Sequence, residues 1–124
     1  MEKSNKKTEL GRKGEGLAAE FLSEQGFWIR QRNWRYKHKE IDIIAENDRF
    51  LVITEVKTRA GHYKVRPGEL VNRQKQKFLI EAAEAYINLY SIFKPCRFDV
   101  IMIALSGNTH SVEHIPDAFV PGES

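Results

Sequence analysis

The chain reads as an α/β layered domain, a central mixed β-sheet flanked by helices, with the element order α-β-β-β-α-β-β. Three observations predict it. Two stretches carry apolar residues at helical spacing, one near the start and one past the middle. Several shorter stretches carry the strand-forming residue types between clusters of turn residues. The second helical stretch falls between strands, which implies a mixed sheet with helices packed on it.

Taken in order, Leu10, Gly14, Leu17, Ala18, Phe21 and Leu22 recur at helical spacing, so a first helix is expected over 8–25, stopped at Gly26. An extended segment follows over 27–36. The strand "EIDIIA" comes next, then the turn residues Glu46, Asn47 and Asp48, then the strand "FLVITEVK". Residues 58–67 are expected to form a basic loop ending at Pro67. A long second helix is expected over 68–90, with Val71, Lys75, Leu79, Ala82, Ala83 and Tyr86 on one side and Pro95 punctuating its exit. "RFDVIMIAL" and, after the turn at Gly107 and Asn108, "THSVEHI" supply the last strands.

Length and composition bound the class. With 124 residues, 41% hydrophobic and 30% charged, the chain fits an ordinary soluble fold with one real core. A single domain over 8–120 is expected, with 1–7 a loose basic tail and 120–124 a frayed end. No apolar run approaches the roughly 20 residues that span a bilayer, and "MEKSNKKTEL" lacks the apolar core of a secretory signal. Cys96 stands alone, which excludes an intrachain disulfide and a cysteine-based zinc cage. A cytoplasmic setting with no membrane partner is therefore expected. The net charge of +3 is modest, but its distribution is not even. Lys57, Arg59, Lys64, Arg66, Arg73, Lys75 and Lys77 are opposed only by Glu69, the footprint of a surface that meets a phosphate backbone.

Side chains two apart on a strand share a face. Glu40, Asp42 and Ile44 thus share one face, and so do Leu51, Ile53, Glu55 and Lys57 on the next strand. A tight turn between these strands can bring Asp42 close to Glu55. Two facing carboxylates repel unless a positive charge lies between them, and a divalent cation would serve. Lys57 offers a fixed positive charge for a phosphate or an attacking hydroxide. At about 100° per residue, Glu15 borders the apolar face of the first helix, whereas Glu20 and Glu24 lie outside it. Gly11, one turn earlier, leaves room there. By the same count Lys75 faces the sheet and needs an acid or a phosphate, while Lys77 points away.

Glu15, Asp42, Glu55, Lys57 and Lys75 therefore form a set suited to metal-assisted hydrolysis of a phosphodiester. All-oxygen ligands favour Mg²⁺ or Mn²⁺ over zinc. Plainer alternatives exist for each residue taken singly. Glu55 and Lys57 could be a solvated ion pair, Asp42 the polar face of a half-exposed sheet, and Lys75 a snorkelling side chain. Asp99 reads as a partner of Arg97, and His38, His62, His110 and His114 share no metal-ligand spacing. His110 and His114 read as exposed strand residues. Trp28, Trp34 and Tyr36 read as core or rim, though aromatics among Arg30, Arg32 and Arg35 could stack on unpaired bases.

The ordered series "GRKGEGLAAEFL", "RNWR", "EIDIIA", "EVKTR", "VNRQKQKFLIEAAEAYI", "RFDVI" and "DAF" resembles the YraN-like family of bacterial endonuclease-like proteins, within the PD-(D/E)xK, or restriction endonuclease-like, superfamily. The resemblance runs from about Gly11 to Phe119. It implies a restriction endonuclease-like core. It implies Mg²⁺ (or Mn²⁺) held by Asp42, Glu55 and the Val56 carbonyl, with Lys57 assisting the attacking water. It also puts the first-helix acid of some Holliday-junction resolvases at Glu15 and the second-helix lysine at Lys75. The family pattern has glycine where Lys39 stands here, and that lysine could touch phosphate instead. The function these readings imply is a DNA endonuclease acting on branched or structured DNA. Arg35, Lys39, Arg59, Lys64, Arg66 and Arg73 are the candidate backbone contacts, and the active species could be a homodimer. The alternatives are a nucleic-acid-binding module without cleavage, or an interaction domain of the same fold.

Overall fold

The computed structural model describes residues 7–61 and 71–122. Helix α1 spans Glu9–Glu24. Thr8 caps it, its hydroxyl accepting from the Gly11 N–H at 3.0 Å and so satisfying one of the free donors of the first turn. Strands β1 (Trp28–Tyr36), β2 (Lys39–Glu46) and β3 (Leu51–Ala60) follow, then α2 (Arg73–Tyr90), β4 (Cys96–Ser106) and β5 (Thr109–Ile115). The order is the one expected, α-β-β-β-α-β-β.

Two boundaries differ from the sequence reading. Strand β3 does not end at Lys57. It runs to Ala60, because it pairs with β4 in continuous register from Leu51 opposite Cys96 to Ala60 opposite Leu105. Thr58, Arg59 and Ala60 are therefore strand residues, and residues 62–67 of the expected loop, with Lys64 and Arg66, lie outside the described residues. Helix α2 begins at Arg73 rather than near residue 68. Asn72 caps it by accepting from the Lys75 N–H at 2.8 Å, so Val71 lies outside the helix. At the other end Ser91, with φ of 53°, closes α2 in the left-handed conformation.

The five strands form one sheet in sequence order, β1-β2-β3-β4-β5. Only β3 and β4 run parallel, and α2 is the connection that a parallel pair requires. The two helices cover opposite faces. Ile41, Ile44, Leu51, Ile53 and Phe98 pack with Leu79, Ala82, Ala83 and Tyr86 of α2. Ile43, Ala45, Ile101 and Ile103 pack with Ala18, Ala19 and Leu22 of α1. Helix α1 comes closest at Gly14, where a Cβ would land on the Thr58 side chain, within 2.8 Å of its Cβ. Gly14 rather than Gly11 is thus the glycine that lets α1 sit down on the sheet.

The sheet opens at one place. Strands β2 and β3 pair from Glu46 opposite Leu51 up to Ile43 opposite Thr54, and no further. Beyond that point β2 stays with β1, and β3 stays with β4. The fork begins where Asp42 would have faced Glu55. Strict alternation also fails there. Ile41 and Ile44 pack under α2 while Ile43 packs under α1, so the face changes across Asp42. The expectation that Glu40, Asp42 and Ile44 share one face does not hold, because this break re-aims Asp42 into the fork.

Candidate active site

Each acid of the predicted set is buried at this fork. Glu15 is 2% exposed, Asp42 6% and Glu55 9%. Asp42 Oδ2 accepts from the Val56 N–H at 2.8 Å, a side-chain bond in place of the ladder bond that the fork removes. Asp42 Oδ1 accepts from Lys7 Nζ at 3.0 Å. The same ammonium lies 3.3 Å from Glu15 Oε2. Lys7, within the expected loose tail, thus bridges two of the three acids. Burial works against its charge, but Asp42 and then Glu15 outweigh that and raise its pKa.

Glu15 Oε1 is held from β1. Asn33 Nδ2 donates to it at 2.8 Å, and an Arg32 guanidinium nitrogen lies 3.5 Å away. On the other side of the fork, Glu55 Oε2 lies 3.5 Å from Lys75 Nζ, so Lys75 finds the acid that its place on α2 demands. Glu55 Oε1 is buried with no hydrogen-bond partner among the described residues. Burial first, and the charge of Asp42 second, push the Glu55 carboxyl up to about 7, against the pull of Lys75 and Lys57. A solvated surface ion pair cannot describe a carboxylate in that setting.

The predicted residues divide accordingly. Glu15 and Asp42 meet through Lys7, and Glu55, Lys57 and Lys75 gather on the α2 side of the same opening. Lys39 reaches the same neighbourhood from β2: its Nζ and that of Lys75 each stand 5.8 Å from the Phe78 ring centroid, within cation–π range. Arg35 pairs with Glu40 at 3.8 Å, and Arg59 donates to the Thr58 carbonyl at 3.0 Å. Arg73 is exposed at the start of α2. Among the described residues, no three acidic, histidine or cysteine side chains converge closely enough to enclose an ion. The donor chemistry nonetheless fits a hard cation. The donors are carboxylate oxygens, one of them is buried without a partner among the described residues, and an ammonium already stands as a cation between Glu15 and Asp42.

Lys7, Arg32 and Asn33 are site residues that the sequence reading missed. Lys7 lies outside any periodic element. The one available signal for Asn33 is its residue type, since asparagine tolerates positive φ and Asn33 has φ of 55° inside β1. Two other expectations resolve outside the site. Asp99 is the partner of Arg97 and takes a bidentate pair at 2.9 and 2.8 Å. His114 is not simply an exposed strand residue, for its Nε2 lies 2.8 Å from Asp99 Oδ2. Trp34 and Tyr36 pack against the α2 core, whereas Trp28 is exposed at the rim. No described helix is long and apolar enough to cross a membrane.

A model of the uncharacterised protein family UPF0102 matches residues 14–103. The chain is 43% identical to a UPF0102 protein of Bacteroides thetaiotaomicron over 113 residues, which covers 91% of this chain and 93% of the relative. It is 46% identical over 119 residues to one of Chlorobium phaeobacteroides, covering 90% and 94%. A third, of Prosthecochloris aestuarii, is 47% identical over 118 residues, covering 90% and 93%.

Proposed function

The chain belongs to the uncharacterised protein family UPF0102, the YraN-like family, and from that premise we propose that it is a metal-dependent endonuclease that hydrolyses phosphodiester bonds of branched or structured DNA. The observation that carries this reading is the pair Asp42 and Glu55 at the fork. Two buried carboxylates lie close enough for one charge to raise the other, and one buried oxygen is without a partner among the described residues. A surface that only binds phosphate gains nothing from carboxylates placed there, since they repel it.

Asp42, Glu55 and the Val56 carbonyl would hold Mg²⁺ or Mn²⁺, with Glu15 joining from α1. Bound there, such an ion would polarise a phosphoryl oxygen and lower the pKa of a water. The remaining work falls to the chain's own side chains. Lys57, two residues beyond Glu55 on the same strand, orients the attacking water and faces the developing negative charge. Lys75 neutralises Glu55 and positions its carboxylate. Arg35, Lys39, Arg59 and Arg73, together with Lys64 and Arg66 outside the described residues, hold the DNA backbone. Contacts of that kind position a duplex without reading its sequence. A homodimer would present two such sites to a branched substrate, and repair or recombination is the setting in which such a substrate arises.

One observation favours a second reading, a nucleic-acid-binding module without cleavage. Lys7 and Lys75 already pair with all three acids. Incubation of branched and linear DNA with the protein, with and without Mg²⁺ or Mn²⁺, separates the two. Cleavage should require the ion, vanish in Asp42→Asn and fall about 10²-fold or more in Lys57→Ala. Salt-sensitive binding with no ion-dependent, Asp42-dependent cleavage selects the second reading. Absence of both points to an interaction domain of the same fold.

A further inference from the structure

Asn33 stands at a point where β1 breaks its alternation, beyond the register shift between Ile29 and Gln31. Its φ of 55° is a left-handed conformation in the middle of a strand, one that disfavours a side chain and that asparagine tolerates better than most. Arg32 and Asn33 are consecutively exposed, so the alternation of β1 slips there. The neighbouring pairs are Arg32 opposite Ile43 and Trp34 opposite Ile41, which sets Asn33 against Asp42, where β2 breaks its alternation as well. Both strands therefore depart from regular geometry at one shared step, and strain of this kind persists only where the surroundings demand it.

What that step delivers is a grip on Glu15. Asn33 Nδ2 donates to Oε1 at 2.8 Å, while Oε2 faces Lys7 Nζ at 3.3 Å. That ammonium is 3.0 Å from Asp42 Oδ1 and marks the slot of a positive charge. A carboxylate only accepts, so the amide must present its NH₂ to Glu15, and its orientation is fixed. We propose that Asn33 is a positioning residue: its carboxamide anchors Glu15 Oε1 so that Oε2 faces the cation slot shared with Asp42. The inference rests on the metal-dependent reading above and adds to it the residue that presents the α1 acid.

The test is calorimetric titration of the full chain with Mn²⁺, with melting temperature measured in parallel. Asn33→Gly keeps the left-handed backbone and loses the donor. It should melt like the wild type and bind Mn²⁺ about 10-fold to 100-fold more weakly. Asn33→Asp keeps shape and backbone preference but turns a charged acceptor on Glu15, and it should bind more weakly still. Wild-type affinity in Asn33→Gly overturns the proposal, and so does a loss of affinity that merely tracks a lower melting temperature in both variants. If the wild type takes up no Mn²⁺, the metal-dependent reading falls and this inference with it. If the wild type binds, Asp42→Asn does not, and Asn33→Gly matches the wild type, only the role of Asn33 falls.

Discussion

Glu55 is a side chain whose charge the fold controls strongly. Its ordinary value of 4.5 is pushed up to about 7 by burial and then by Asp42. A carboxyl raised in the folded state favours its neutral form, so this group's contribution to stability is intact below about pH 4.5. It is lost as the pH rises to about 7, by about 3 kcal/mol in all. Glu55→Gln should therefore gain stability relative to the wild type between pH 5 and pH 8 without divalent ion. Denaturant unfolding at the two pH values checks it, and a difference that does not change with pH would contradict it. Lys7 has the opposite character, an ammonium kept charged by Asp42 and Glu15. Removing it leaves two buried acids facing each other. Lys7→Met should lower the melting temperature without ion, yet raise Mn²⁺ affinity several-fold, because the ion no longer competes with an ammonium. Titration calorimetry on both proteins reads the difference. Such residues mark the limit of what is legible in the sequence. Glu55 and Lys57 are legible as neighbours because strand periodicity puts residues two apart on one face, whereas Asp42 reaches the site through a break in alternation that no periodicity shows. Lys7 is not legible, since its contact spans 35 positions and arises from no periodicity.

At the scale of elements, the placement of α1 depends on one absent methyl group. Gly14 lies against Thr58 so closely that any Cβ must displace α1 or β3. Gly14→Ala should cost about 1 to 3 kcal/mol, the usual range for overpacking. The cost should shrink in a Thr58→Ala background, which removes the two atoms that a new Cβ would meet first. A double-mutant cycle in denaturant measures this, and equal costs in both backgrounds would contradict it. The helical phase that sets Glu15 at the border of the apolar face and Glu20 outside it is legible, because rotation per residue belongs to the backbone alone. The boundaries were less so. Strand β3 continues through Arg59 because β4 lies beside it, and α2 starts at Arg73 because the Asn72 side chain caps the free Lys75 N–H of its first turn. A local pattern cannot show a ladder partner drawn from the far side of a helix.

Across the whole molecule, the β4–β5 side of the sheet is tied by Asp99. Its carboxylate, 1% exposed, takes Arg97 from its own strand, His114 from β5 and the Asp117 N–H from the turn beyond β5. Burial alone would raise its pKa, but the bonds from His114, Arg97 and Asp117, with the charge of Arg97, hold it below the ordinary 3.8. Its contribution is thus present above about pH 4 and lost as the pH falls further. Asp99→Ala should cost about 3 kcal/mol or more at pH 7, since it strands a half-buried guanidinium, and less as the medium is made acidic. Urea midpoints at pH 7 and pH 3.5 check the sign.

The parallel seam between β3 and β4 also governs how quickly the chain can find its structure. The sheet consists of two local meanders, β1-β2-β3 and β4-β5, and every backbone bond between them crosses that seam. Each meander can zip from its own turns, but the seam must wait until the whole stretch carrying α2 has closed a long loop. Seam residues should then dominate the folding barrier. Ile53→Val should slow refolding in a chevron measurement, while Ile29→Val, on the outer strand, should act mainly by hastening unfolding. The reverse assignment of the two rates would mean that assembly starts at the sheet's edge.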